Sequence, residues 1–466
     1  VPTAAPLVLS HAAPEQHGVP SAALARLVEQ LSAAGLDPHA LLVARRGEVL
    51  LECSWAPYRL TEPALVYSVS KTFTSLAIGL LEAEGRLRPE DPFDRHLAVP
   101  NPAGVTVRDL LTMATGHSRE QTLTLPFSVE TLLTTPAEHP RGTHFAYSSP
   151  ATYALSALVT AITGDSLTEY LRPRLLDPIG VPERWWRRHD GLDQGFSGLH
   201  LTVEDIARVA TLLAQGGAVE DRQVVPAGYV EALSRAWIDT SEPGSPADEA
   251  PAGDWSLGYG YQVWRSRHGF RLDGAYGQFG LVLPERDLVI AYQGSTTDTG
   301  RTLELFWELV DQVTDTPLAV DKAETDRLDQ SVASLDSWDA RAVITPDPAA
   351  APLDTTGWRI RDLPDGWLLR LPSSRPGEHW EIPVGLERWS SGILPAGEEA
   401  LPVAARGEDD GADLLIHLVV TSSPHRLLVT RTAAGLTARW HTAPLWRPEL
   451  ATLLVPAAFA PQLPPS

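Results

Sequence analysis

The sequence predicts an α+β domain with a helical subdomain, followed by a small all-β sandwich or barrel. Two observations carry that division. Up to about residue 318 the patterns run helix, hairpin, a long helical stretch, strands and a closing helix; beyond 354, short alternating segments and recurrent tryptophans take over. Between them the chain is polar and rich in Asp, Ala and Pro, the texture of a linker that is expected to be partly helical. The expected units are therefore 1–318, a linker at 319–353 and an all-β domain at 354–466.

The elements follow in order. "SAALARLVEQLSAAG" offers Ser21 as an N-cap, sets Leu24, Leu27, Val28 and Leu31 on one helical face and stops at Gly35. "HALLVARRGEVLLECSW" is two apolar runs around a charged Arg-Gly-Glu turn, a β-hairpin. Tyr67 to Leu81 reads as a buried helix closed near Gly85. From Arg88 to Leu213 the signals are mostly helical, and Ser166 with Glu169 has capping-box spacing. β-Structure returns between Tyr259 and Ser295, with turns expected at Arg-His-Gly, Asp-Gly and Pro-Glu-Arg-Asp, so the strands should be antiparallel. "TLELFWELVDQVTD" places Phe306, Leu309, Val310 and Val313 on one face of a closing helix. In the last unit, tryptophans 358, 367, 380, 389, 440 and 446 are expected to fill the interior of a small barrel rather than line a ligand cavity.

Composition narrows the function. A hydrophobic content of 43% and a charged content of 21% are those of a globular protein with a large core. The net charge of −22 argues against nucleic acid and anionic membranes as partners. No apolar run reaches the roughly 18 residues of a membrane span, and the N-terminal stretch lacks a signal-peptide pattern, so a cytoplasmic location is expected. Cys53 is the single cysteine and no His-Glu-x-x-His spacing occurs, so neither a disulfide nor a metal or other cofactor is expected.

One residue does not fit its surroundings. Lys71 and Lys322 are the only lysines in a chain whose other basic side chains, histidine apart, are arginines, and Lys71 lies in an apolar helix three residues after Ser68. Residues three apart on a helix share a face, so Ser68 and Lys71 can meet. Arginine cannot lose its proton in a protein; a buried lysine can, and can then take the proton of a neighbouring serine. The plainer reading is an N-cap serine and a surface lysine, and the motif alone does not exclude it.

Ser68-Val69-Ser70-Lys71, followed in order by "VTVRDLLTMATG", "FAYSSPATYALSALV", "GLHLTVEDIARVATLLAQGG" and "GQFGLVLPERDLVIAY", resembles the serine β-lactamase and penicillin-binding-protein superfamily. The likeness is to its class C-like branch of esterases, D-amino-acid peptidases and amide hydrolases, and it covers about residues 15 to 315. It implies a β-lactamase-like domain, an antiparallel sheet flanked by helices. It also implies Ser68 as nucleophile and Lys71 with Tyr147 as proton carriers. Tyr147-Ser148-Ser149 stands where the branch has Tyr-x-Asn, and Ser149-Pro150 equally suits a helix cap. Ala275-Tyr276-Gly277-Gln278 stands where the branch has Lys-Thr-Gly or His-x-Gly, so the substrate-binding cation is missing. The N–H groups of Ser68 and Gln278 would form the oxyanion hole, and Ser149, Ala275, Tyr276 and Gly277 would line the substrate.

Other chemistries lack their signatures. There is no Gly-x-Ser-x-Gly elbow, and "GAYGQFG" has the wrong glycine spacing for a dinucleotide loop. His117 and His200 are expected to be structural, and Trp185 and Trp186 to pack a loop. The sequence therefore points to a serine hydrolase of small ester substrates. Amide or D-amino-acid peptide hydrolysis comes second, β-lactam hydrolysis third, and a non-catalytic receptor is the competing class. Because every motif precedes residue 316, a chain ending near Thr316 is expected to keep ester hydrolysis.

Overall fold

The computed structural model describes residues 5–241, 253–338, 344–348, 350–409, 411 and 413–460. The N-terminal hairpin and the strands near residue 280 close one seven-stranded sheet. Its order is Ser10–His11, Glu48–Ser54, Pro38–Arg45, Leu288–Gly294, Gln278–Leu283, Gly269–Gly274 and Trp264–Ser266. All neighbours are antiparallel except the Ser10–His11 edge, which runs parallel to Glu48–Ser54. The two central strands, Pro38–Arg45 and Leu288–Gly294, are buried along their whole length, so both faces of the sheet are covered.

Alternation along the strands shows by what. Ile206 of the Val203–Ala214 helix lies against Gly280, paired with Ala291 on one face. Phe306 of the Thr299–Val310 helix meets Tyr292 on the other. The Ser70–Ala83 helix is buried from Ser70 to Leu81 and packs on Ser149–Thr163 in the helical subdomain.

Several local expectations are corrected. Ser21 is the first helical residue rather than the cap: Pro20 is the N-cap, and the Glu15 carboxylate accepts the Ser21 N–H at 3.0 Å. A longer acidic side chain from the preceding turn does the work the serine was expected to do. Tyr67–Val69 is a 3₁₀ turn, and the α-helix starts only at Ser70. Asp273 and Gly274 end a strand, and the turn that follows is Ala275-Tyr276-Gly277, with left-handed backbone at Tyr276 and Gly277. The Ser166–Glu169 capping box forms as expected.

The C-terminal unit is a curled half-barrel sheet. Its main path runs Arg359–Leu363, Gly366–Pro372, His379–Leu386, Glu399–Asp409, Leu414–Val420, Arg426–Thr432 and Gly435–Trp440. Trp358, Trp367, Trp380 and Trp440 fill its core. Trp389 instead lies under the Arg426 guanidinium, and Trp446 is 66% exposed. Between the units, Lys322–Ala333 is a helix laid on Ser21–Ala33, with Leu328 and Leu335 joining the first core.

The two units meet over a polar seam. Arg426 holds Asp37 through two bonds of 2.6 and 2.9 Å, both side chains fully buried. Ser295 bonds Thr442 at 2.6 Å, Leu65 N–H donates to Ser422 O at 2.9 Å, and Tyr276 Oη donates to Ala443 O at 2.6 Å. No helix among the described residues is long and apolar enough to cross a membrane.

Candidate active site

The 3₁₀ turn places Ser68 one step ahead of the buried helix, half-buried, while Lys71 is carried inward to 1% exposure. Lys71 Nζ lies 2.9 Å from Ser68 Oγ and donates a second 2.9 Å bond to the Phe196 carbonyl. Burial pushes the Lys71 ammonium down to about 7, and the Asp273 carboxylate opposes that shift. An amine with this value is neutral in a large fraction of molecules near neutral pH.

Tyr147 closes the third side. Lys71 Nζ sits 4.8 Å from its ring centroid, and the phenol hydrogen-bonds Ser68. Burial raises the Tyr147 phenol far above its ordinary value, with the Ser68 hydrogen bond opposing. The group is therefore a protonated phenol at neutral pH. Its ring stacks on Trp264, 5.9 Å between centroids, which fixes its direction.

Ser70, between Ser68 and Lys71, is a fastener. Its hydroxyl donates to Tyr67 O at 2.6 Å and accepts the Leu199 N–H at 3.2 Å. The 196–199 segment is thereby held where Phe196 O can meet Lys71.

The hairpin end lies beside this turn. A side chain at Gly274 would collide with the Val66 carbonyl, so glycine is needed there for close approach. Gly277 has ordinary room around it and is required by its left-handed φ of +88° instead. Gln278 opens the next strand, and its buried side-chain amide donates to Gly294 O at 2.6 Å. Tyr276, with φ +66°, turns its hydroxyl away to Ala443. Ala275 is half-buried and brings no charge.

The cap at Ser149 is corrected. Ser148 is the N-cap and accepts the Ala151 N–H at 3.2 Å, because its backbone is extended while Ser149 already has joined the helix. The half-buried Ser149 hydroxyl makes no hydrogen bond among the described residues and stands free at the motif position. Ser68, Lys71 and Tyr147 are thus brought together, with the 274–278 hairpin end against the turn that carries Ser68.

His117 and His200 are both buried and bonded locally, His117 to Thr115 and the Thr135 carbonyl, His200 to the Gly198 carbonyl. Trp186 packs on Phe73 and donates to Ser197 O at 2.7 Å. Trp185 lines a cavity of about 730 Å³ at the seam, with Arg187, Glu399 and Thr452. Among the described residues no cluster of three or more His, Cys, Asp or Glu could hold a metal ion.

Two contributors escaped the sequence reading. Asp273, whose charge acts on Lys71 and which accepts the Arg271 Nε–H at 2.8 Å, has its carboxyl raised by burial against the pull of Arg271. His425 comes from the C-terminal unit and bonds the Tyr67 hydroxyl at 2.6 Å. Asp273 sits two residues before the third motif, a retrievable signal; nothing local marks His425.

Residues 24–313 match the family model described as Beta-lactamase. A 6-aminohexanoate-dimer hydrolase of Paenarthrobacter ureafaciens is 28% identical over 222 residues, which is 42% of this chain and 56% of that protein. The match thus spans only about half the length of the curated relative. A penicillin-binding protein homolog from Caulobacter crescentus superposes with TM-score 0.53 at 17% identity, over 63% of this chain and 97% of that one. The octameric penicillin-binding protein homologue from Pyrococcus abyssi gives TM-score 0.50 at 15% identity, over 90% of this chain and 99% of that one. At such identities the likeness is one of fold, and the second carries it across the C-terminal sheet.

Proposed function

The chain belongs to the Beta-lactamase family and is a hydrolase of that fold; from this premise we propose that it forms an acyl-enzyme on Ser68 and acts chiefly on carboxylic esters. One observation carries the reading: a buried lysine amine, brought down to about 7, lies 2.9 Å from a half-exposed serine hydroxyl. That is a nucleophile with its base already in reach.

In the forward step Lys71 takes the Ser68 proton as Oγ attacks the carbonyl carbon. The oxyanion is held by the N–H groups of Ser68 and Gln278. The Tyr147 phenol hands its proton to the leaving alkoxide and is reprotonated from Lys71. Water then attacks the acyl-enzyme by the reverse proton path, releasing the acid and restoring Ser68. Ser149, Ala275, Tyr276 and Gly277 border the bound substrate.

Esters lead because Ala275 offers no charge for a substrate carboxylate and an alkoxide leaves more readily than an amine. Amide hydrolysis is the second reading, favoured by the relative named for cleaving a 6-aminohexanoate dimer. The test is intact-protein mass after a fluorophosphonate and a panel of esters and amides. Wild type should gain one adduct and Ser68→Ala none; an unlabelled, inert wild type would favour a non-catalytic receptor.

A further inference from the structure

Four of the six C-terminal tryptophans lie in the half-barrel core, but Trp446 stands at the surface, 66% exposed, with a left-handed φ of +72°. A bulky aromatic residue rarely adopts that backbone unless its surroundings impose it. The segment leading to it is pinned to the catalytic unit twice. Tyr276 Oη donates to Ala443 O at 2.6 Å, and Leu445 N–H donates to Tyr67 Oη at 3.4 Å. Both anchors neighbour the proposed machinery: Tyr67 precedes Ser68, and Tyr276 belongs to the third motif.

From there the indole reaches Phe196. Their centroids are 6.1 Å apart, edge to face. Phe196 stacks on half-buried Phe127 at 4.2 Å, and its carbonyl holds Lys71. Lys71 Nζ is 5.8 Å from the Phe196 ring, so an aromatic row runs outward from the lysine to solvent.

We propose that residues 443–446 form a wall of the catalytic cleft and that exposed Trp446 and half-buried Phe127, backed by the buried Phe196, are an aromatic subsite for an apolar substituent of the substrate. The occupant is the substrate itself, because the row is continuous with the Ser68–Lys71 pair. The inference rests on the serine-hydrolase reading for its location and on the aromatic row for its chemistry.

The test compares methyl acetate with methyl 4-phenylbutyrate and benzyl acetate, which place the apolar group on the acyl or the alcohol side. In Trp446→Ala, the kcat/KM ratio of one phenyl-bearing ester to methyl acetate should fall about tenfold, the scale of one aromatic contact. Trp446→Phe, which keeps an aromatic face, should restore most of it. Ratios unchanged for both esters overturn the subsite. A second measurement does not need turnover: calorimetry of 4-phenylbutyramide with Ser68→Ala, with and without Trp446→Ala. Weaker binding without the indole supports the subsite; no binding, or equal binding, overturns it. An unlabelled wild type with indole-dependent binding would sink the acyl-enzyme and leave the subsite standing.

Discussion

The Tyr67 hydroxyl donates a 2.6 Å hydrogen bond to His425 Nε2, tying the residue before Ser68 to the C-terminal sheet. The direction is fixed by the other ring nitrogen, which donates to Thr442 O at 2.9 Å. Burial pushes the His425 imidazole down to about 3, so it stays a neutral acceptor at working pH. Tyr67 needs the support, since it holds a φ of +47°. Left-handed backbone at such a residue costs on the order of 1–3 kcal/mol and persists only where the surroundings fix it. His425→Phe is therefore expected to lower kcat by about tenfold while KM changes little. Steady-state kinetics on a short ester check this, and a variant with unaltered kcat would show that the tie does not position Ser68.

The same seam changes what removal of the C-terminal unit should do. A chain ending near Thr316 retains every motif but strips Tyr67 of His425, Tyr276 of Ala443 and the buried Asp37 of Arg426. Against the raising effect of burial, Arg426 and His39 hold the Asp37 carboxyl well below the usual range. An orphaned buried charge costs about 3–5 kcal/mol. Arg426→Met should lower thermal stability by that order, and the shortened chain should be less stable still. A melting temperature unmoved by Arg426→Met would refute the account.

In the proposed mechanism Lys71 would set the pH dependence, because its active form would be the free amine and burial brings its proton loss down to about 7. The kcat/KM profile should therefore rise with pH through about 7 and flatten above it. Lys71→Arg keeps a cation that cannot be a base, so it should lose ~10²–10⁴-fold, as Lys71→Ala does. An arginine variant with near-normal turnover would reduce the lysine to an electrostatic partner.

Asp273 gives that profile a handle. The carboxylate favours the protonated lysine and works against burial. Asp273→Asn removes the negative charge and leaves Arg271 beside the site, so the Lys71 proton should leave more readily. The acidic limb should move to lower pH. A limb that moves to higher pH, or stays fixed, would mean that Asp273 is not sensed by the base.

What was legible in the sequence follows the range of the interactions. Ser68, Lys71 and their shared helical face are set within four residues, and the scarcity of lysine singled out position 71. The capping box at Ser166 is equally local. The reading failed where a distant or longer side chain took over a local role: Glu15 capping the helix at Ser21, or Arg426 pairing with Asp37 across 389 positions. Trp446 illustrates the same limit. Its place in a tryptophan series suggested core filling, and only the seam puts it beside Phe196.

Under the proposed function, specificity is expected to turn on Ala275. Where the resemblance to the wider family would place a cation or imidazole that meets a substrate carboxylate, this chain has a half-buried alanine. Among the described residues Tyr276 is turned toward Ala443, and Arg187 donates to the carbonyls of Thr452 and Leu454. The net charge of −22 also disfavours the approach of anions. A charge-assisted hydrogen bond is worth roughly 1.5–3 kcal/mol, or about one to two powers of ten in kcat/KM. A neutral ester has no carboxylate to anchor and loses nothing by the substitution. Short-chain neutral esters should therefore be turned over at least tenfold faster than nitrocefin or penicillin G. Ala275→Lys should narrow that gap by supplying the missing cation. Nitrocefin turnover equal to that of p-nitrophenyl butyrate in the unaltered protein would place the carboxylate-binding charge on a residue other than 275.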